Sequence, residues 1–565
     1  MRCEMEVQGG KVTDAWVSGG SFRGMELVVE NRSPEDAAQI VQRICGVCPV
    51  SHNHVSAIAA EKVYGLEGPL AIPNRARIIR NLLEGAQFLH SHILWFYNLA
   101  ALDYVNPLNA LKADVADAYD LAQAAGTSMD SDLKAVKERL ESFAANGQLS
   151  IFSGNWFDAD GGTAYKLPPE LDLICTSHYL EALQMQARAS EVAALLGGKM
   201  PHIMTIIPGG TAFVPTAQKL DDLWAMVNEI YDWVASTMIP DTLALAPYYK
   251  DGLEWGGGCG RFGAWGVFER PSMKMNDRYL PAGVLLGGLN GAVDDVEESL
   301  ITEYVGHSWY EGSDTYQAPN YTTIPDFTEY DVNDRYTWCK APAYDGKALE
   351  CTSLSRMLVA YKRGVPFIVE ETDKFLAALG QGLGLSGAAP VSAAVSMLGR
   401  TAIRQIETLY IAQLMKDWTR ELIDVVAGGG LQDIALAEDT PIDDFASTNV
   451  TDYFEKGIKN SGQGSGFWEA PRGALYHAEQ VNNGKIEGYQ IIIPTTWNLA
   501  PINENGEHGP IEQALIGCPV EDIEKPINAL RLVHSYDPCV SCAVHVSEPA
   551  TGKHFETVTN PWGVK

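Results

Sequence analysis

Two short cysteine motifs at opposite ends of the chain constrain its fold more than any other feature. The first is Arg43-Ile44-Cys45-Gly46-Val47-Cys48-Pro49-Val50-Ser51-His52, and the second is Asp537-Pro538-Cys539-Val540-Ser541-Cys542-Ala543-Val544-His545. Each is a Cys-x-x-Cys followed by a histidine. On a helix, Cys45, Cys48 and His52 fall at steps of three and four and share one face. Cys539, Cys542 and His545 fall at steps of three and can do the same in a helix or a tight turn. Four thiolates converging from the two pairs make a soft, sulfur-rich site that suits nickel, iron or zinc. Taken alone, either pair reads as readily as a plain zinc knuckle or redox disulfide as it does as part of such a site. A separation of 494 residues is unusual for a structural zinc site, and a redox pair needs no distant twin. If the pairs meet, both ends of the chain belong to one folded unit.

Composition narrows the class. A chain of 565 residues can bury a large core. Its net charge of −31 argues against a nucleic-acid partner, because phosphate contacts need a basic surface. No stretch reaches the roughly 18 uninterrupted apolar residues of a transmembrane helix. The start, Met1-Arg2-Cys3-Glu4-Met5-Glu6-Val7, has no basic region leading into an apolar one, so no secretory signal is expected. Cys3, Cys175, Cys259, Cys339, Cys351 and Cys518 are scattered and read as free thiols rather than a disulfide framework.

Along the chain, residues 3–30 alternate polar and apolar around Gly9-Gly10 and predict a β-hairpin or meander. Ser33-Pro34-Glu35-Asp36 carries a cap, an initial proline and first-turn acids, which starts a helix expected over 35–62. Further long helices are expected over 73–99, 174–196 and 391–426, with shorter ones near 129–145 and 216–236. Residues 250–350 are rich in Gly, Tyr, Asp and Pro and read as a β-containing, loop-rich lobe. Trp255-Gly256-Gly257-Gly258-Cys259-Gly260 lacks the Gly-Lys-Ser/Thr of a phosphate loop. Tyr489-Gln490-Ile491-Ile492-Ile493-Pro494-Thr495 reads as a strand entering a turn. His90 and His92 read as hydrogen-bonded core histidines. The expected fold is mainly α with smaller α+β parts around a core bundle of long helices. The expected parts are 1–30, 31–245, 246–385, 386–545 and a tail at 546–565.

The flanks of the two motifs, Arg43-x-Cys45-Gly46-x-Cys48-x-x-x-His52 and Asp537-Pro538-Cys539-x-x-Cys542-x-x-His545, resemble those of nickel–iron hydrogenase large subunits, over about residues 5–545. The resemblance implies that Cys45 and Cys539 are terminal nickel ligands and that Cys48 and Cys542 bridge nickel to an iron carrying CO and CN. It implies that Arg472 of Ala470-Pro471-Arg472-Gly473 hangs over the metals, paired with Asp537. Thr495, after Pro494, would bond a diatomic ligand, with Pro471 and Pro494 also against the cofactor. His52 would donate a hydrogen bond to a bridging sulfur. Glu26 of Arg23-Gly24-Met25-Glu26, the Ile491 carbonyl and His545 would hold magnesium or another hard cation. The base for H2 cleavage would be Cys539 or Cys45, or else Arg472.

The same resemblance implies an iron–sulfur small subunit as partner, with nickel-insertion proteins, a maturation endopeptidase and a membrane cytochrome among the further partners. That peptidase would cut after His545, making residues 546–565 a maturation peptide. The flanks look closest to the membrane-associated uptake type, exported with its small subunit to the periplasmic side of the membrane. Two departures stand out. The family's Arg-Ile-Glu-Gly-His stretch would end just where this chain starts, and Ser91 stands where many relatives carry an acid between the two helix histidines. The rivals are a quinone-oxidoreductase-type electron-transfer subunit, which lacks the four cysteines, and a zinc-stabilised scaffold.

Overall fold

A computed structural model describes residues 1–68, 71–128, 130–149, 164–427, 460–539, 543–548 and 553–558. The chain opens with strands β1 (Arg2–Gln8) and β2 (Lys11–Ser18), an antiparallel pair turning at Gly9-Gly10. Cys3, Met5 and Val7 of β1 and Val12, Ala15 and Val17 of β2 are buried, the period-two pattern of a sheet with one face on the core. β1 also pairs in parallel with β6 (Ala543–Glu548), matching Cys3 to Val544 and Glu4 to His545. β6 in turn pairs with β7 (Lys553–Val558). The two ends of the chain therefore share one sheet.

Helix α1 (Pro34–Ile40) starts as its sequence predicts: the Ser33 hydroxyl accepts from the Asp36 amide at 3.2 Å. The expected continuous helix over 35–62 is broken. After a 3-10 turn at Val41–Ile44, Cys45 is extended (φ −138°, ψ 127°). Cys48 caps the next helix, α2 (Pro49–Tyr64), with Pro49 at its first position. Proline lacks an amide hydrogen and crowds the preceding residue out of the helical region, so it opens α2 instead of continuing α1.

Three long helices, α3 (Asn74–Ile93), α4 (Pro169–Gly197) and α6 (Met397–Val426), carry much of the interior. α3 packs on both α4 and α6, and α6 packs on α5 (Ala217–Trp233). α3 ends in a π turn over Leu94–Ala100, and α4 ends on the left-handed Gly198. Between α5 and α6 lie short strands, among them Ile301–Tyr304 flanked by Thr315–Gln317 and Ala341–Tyr344. About half of the described residues are helical, with several small sheets.

A three-stranded antiparallel sheet, β3 (Gly462–Ala470), β4 (Gly473–Asn482) and β5 (Lys485–Ile492), positions the site. α2 lies directly on it. Gly464 and Gly466 of β3 make this approach possible: a Cβ would sit 2.1 Å from the Ala59 carbonyl oxygen and 2.2 Å from that of Val55. The β3–β4 turn, Pro471-Arg472, and the end of β5 lie at the same edge. From the end of β5 the chain enters the short helix Pro494–Asn498. Helix α7 (Ile527–Ser535) then leads to Asp537 and Cys539.

Candidate metal centre

The fold brings three of the four predicted cysteines together. The Sγ atoms of Cys45, Cys48 and Cys539 all lie within 4.8 Å of one another, and Cys45 is 3.4 Å from Cys539. Cys542 lies outside the described residues. The first pair is placed by the entry into α2 rather than by a helical face, and the Cys48 amide donates to the Cys45 sulfur at 3.2 Å. Cys539 follows a bend after α7, where Asp537 has φ 53°, and its amide donates to the Thr495 hydroxyl at 3.3 Å. At the far end of the second motif His545 stands in strand β6, with its backbone paired to Glu4.

The three thiols do not titrate alike. Hydrogen bonds from Cys48 and Cys539 hold Cys45 well below the usual thiol range, with help from the Arg472 charge. The same contact with Cys45 pushes Cys48 up, and pushes Cys539 up to about 12. The cluster thus settles first as one thiolate with two thiols donating to it. Converging sulfur donors fit a soft or borderline metal.

Arg472 is buried beside this cluster. Its Nε lies 3.1 Å from Asp537 Oδ1, off the N–H axis, so the contact is an ion pair rather than an aligned hydrogen bond. Nη1 reaches the Ser91 hydroxyl at 3.4 Å. Burial opposes its charge, but Asp537 and the cysteine sulfurs outweigh this and hold Arg472 firmly protonated. The turn carrying it is pinned from below. Arg356 donates to the carbonyls of Ala470 at 3.0 Å and Pro471 at 2.7 Å, and pairs with Glu407 of α6 and with Glu469. Gly473 has φ 143°, and a Cβ there would sit 1.8 Å from the Cys351 carbonyl oxygen, so the turn admits no larger residue. Pro494 and Thr495 are buried at the first turn of their short helix.

His52 is buried, and loss of solvation lowers its pKa to about 4. Its Nδ1 faces His477 Nε2 at 3.2 Å, which leaves only Nε2 for any bond to a sulfur. His92 is buried 3.1 Å from Glu407, and His90 is half-buried near Arg472.

At the expected hard-cation position, Glu26 Oε1 accepts from the Ile491 amide at 2.8 Å. Lys340 lies 3.9 Å from Glu26 and 3.4 Å from Glu303. Burial works against the Lys340 charge, but Glu26 and Glu303 overcome it. An ammonium group thus already faces this carboxylate pair, and carboxylate with backbone oxygen remains the donor chemistry a hard cation takes.

Sequence reasoning missed His477, Lys340, Arg356, Glu407 and Arg404. Arg404 stacks 3.9 Å over Trp95 and faces Asp537. Burial lowers its pKa to about 10. The only trace of Arg404 and Glu407 in the sequence is a three-residue spacing inside an apolar helix.

The sequence pattern of the nickel-dependent hydrogenases matches residues 23–545, from just before Glu26 through His545. The chain belongs to the nickel-dependent hydrogenase family. The uptake hydrogenase large subunit of Afipia carboxidovorans is 33% identical, over 99% of this chain and 95% of its own length. The hydrogenase-2 large chain of Escherichia coli K12 is 34% identical, over 97% and 95%. Among solved structures, the Ni-Fe-Se hydrogenase from Desulfovibrio vulgaris Hildenborough superposes with a TM-score of 0.73 at 31% identity, over 94% of each chain. This hydrogenase chain is a catalytic large subunit of the uptake type, an H2-oxidising oxidoreductase with a nickel–iron centre. As a large subunit it works with a small-subunit partner. No helix among the described residues is long and apolar enough to cross a membrane.

Proposed function

We propose that Cys45 and Cys539 are terminal nickel ligands, that Cys48 and Cys542 bridge to iron, and that the iron carries CO and CN. The observation behind this assignment is the convergence of three sulfurs from two chain ends within 4.8 Å. When bound, the centre supplies a Lewis-acidic position that polarises H2 and a store for its electron pair. The protein's own part is the proton. A cysteine Sγ, of Cys539 or Cys45, takes it, and the fixed charge of Arg472 beside the sulfurs weakens their hold on the proton, so that it can pass on. Asp537 holds the guanidinium in place. Thr495 orients Cys539 through its amide and offers its hydroxyl to a diatomic ligand, with Pro471 and Pro494 closing the apolar wall.

Net, one H2 yields two protons to solvent and two electrons to the partner. The six cysteines outside the motifs are too dispersed to hold an iron–sulfur chain, so the clusters belong to the small subunit. Glu26, the Ile491 carbonyl and His545 would bind magnesium, with Lys340 balancing the excess carboxylate charge. Nickel-insertion proteins and an endopeptidase cutting after His545 would mature the chain. It would work at the periplasmic face of the membrane beside a cytochrome.

The test is an infrared spectrum of the chain purified with its small subunit from a host with the maturation machinery. Bands of metal-bound CO and CN are expected. Their absence in a chain carrying stoichiometric nickel would overturn the ligand assignment.

A further inference from the structure

The chain end that carries the site is fastened from the other half of the molecule. Helix α7 stops at Ser535 and the chain then bends back. The Asp537 amide donates to the His534 carbonyl at 2.9 Å, with Asp537 at φ 53°. A non-glycine residue in the left-handed region costs about 1–3 kcal/mol and persists only where its surroundings over-determine it. Asp537 and Cys539 both hang from this bend. A shift here therefore moves the partner of Arg472 and a sulfur of the cluster together.

The surroundings that fix the bend come from the irregular end of α3. Helices that widen into a π turn frequently do so at functional sites. In the π turn over Leu94–Ala100, Trp95 is buried, and its indole Nε1 donates to the same His534 carbonyl at 2.8 Å. The 3-10 turn that follows, Ala101–Asp103, also grips α7. Its Asp103 carboxylate meets His534 Nδ1 at 2.6 Å, and the Asp103 carbonyl accepts from Arg531 Nη2 at 2.7 Å. The ring face of Trp95 carries Arg404 of α6, 3.9 Å above the ring centre. From there Arg404 Nη2 reaches toward the Ser535 carbonyl at 3.5 Å, and its charge acts on Asp537. Nε and Nη1 of Arg404 have no hydrogen-bond partner among the described residues, so the indole face is what fixes the plane of this guanidinium. Trp95 thus meets the end of α7 twice, once through its N–H and once through the cation it carries.

We propose that Trp95 is a positioning residue for H2 cleavage. Its N–H and its ring face together fix the bend from His534 to Asp537. Through that bend they set the pose of Asp537 against Arg472 and of Cys539 in the sulfur cluster. Trp95 acts through the His534 carbonyl and Arg404, not on the reacting atoms. The proposal rests on the metal binding at Cys45, Cys48 and Cys539.

The experiment compares wild type with Trp95→Phe and with a chain in which benzothienyl-alanine replaces Trp95. The second keeps both rings and puts sulfur where the N–H was, so packing is preserved. On the metal-free chain, amide hydrogen exchange over residues 534–539 should quicken by at least about tenfold in both variants, while residues 74–89 of α3 exchange as in wild type. In the loaded complex with its small subunit, kcat per bound nickel should fall by at least about tenfold, with KM for H2 within about twofold of wild type. Wild-type exchange over 534–539 in the benzothienyl variant, or wild-type kcat per nickel in that variant, would overturn the assignment and leave Trp95 as packing alone. A fault in the metal assignment would show instead as missing CO and CN bands in wild type, with the exchange of the metal-free chain unaffected.

Discussion

Asp537→Asn tests the electrostatics of the site most directly. Asp537 is the carboxylate between two buried guanidinium groups, 3.1 Å from Arg472 and facing Arg404. Asparagine preserves the shape, and it tolerates the left-handed φ of 53° at this position better than most residues. The substitution therefore removes charge without backbone strain. Removing one partner of a buried ion pair costs about 3–5 kcal/mol, because the remaining charge is left without compensation. With an unfolding entropy of about 2.1 cal/mol/K per residue over 565 residues, this lowers Tm by about 2.5–4 °C. The assay is calorimetry of the metal-free chain, so that altered metal affinity does not enter. Adding Arg472→Met should recover part of the loss, because it removes a charge left without its partner. A Tm within 1 °C of wild type at neutral pH, or no recovery in the double variant, would refute the reasoning.

Three further outcomes follow from the same structure. Cys48→Ser should bring nickel content to background in the purified complex by elemental analysis, while helix content by circular dichroism stays unchanged. Gly466→Ala should lower Tm by an amount matching at least about 1–3 kcal/mol, since its Cβ would press on the Val55 carbonyl and lift α2 from the sheet. His178 is buried, with Nδ1 2.8 Å from Asp241 Oδ2, and the carboxylate outweighs burial to raise its pKa to about 9. Its stabilisation, about 3 kcal/mol, is fully present below pH 6.5 and is lost as pH rises through about 9, so His178→Gln should flatten the alkaline fall of Tm between those limits.

Much of this arrangement was legible in the chain itself. Alternation at Cys3, Met5 and Val7 marked the first strand, and Ser33-Pro34 marked the first helix start, because both signals act over a few residues. The Cys-x-x-Cys pairs announced a shared site because their chemistry makes sense only when they converge. The break at Cys45–Cys48 was missed because apolar spacing continues across it, whereas Pro49 decides the local geometry. His477 was invisible for a different reason. Polar residues alternating along a strand normally face water, and only α2, seated on Gly464 and Gly466, turns that face into interior. Arg356, Arg404 and Glu407 look like solvated charges until residues far away in sequence supply their partners. Lys340 belongs with them, since nothing near it in sequence points to Glu26 and Glu303.

The parallel pairing of β1 with β6, and the 494 residues between Cys45 and Cys539, also set a timetable for biogenesis. At roughly 5–20 residues per second of synthesis, Cys45 and Cys48 leave the ribosome about 25–100 s before Cys539. For that interval the first pair is an open dithiol, able to oxidise or to take a commoner metal. The first strand likewise waits with an unpaired edge until the last strands are made. A nascent chain is thus exposed to mismetallation for as long as it is being translated. Slower translation, or scarcity of whatever shields the first pair, should lower the yield of active enzyme without any change in the folded protein.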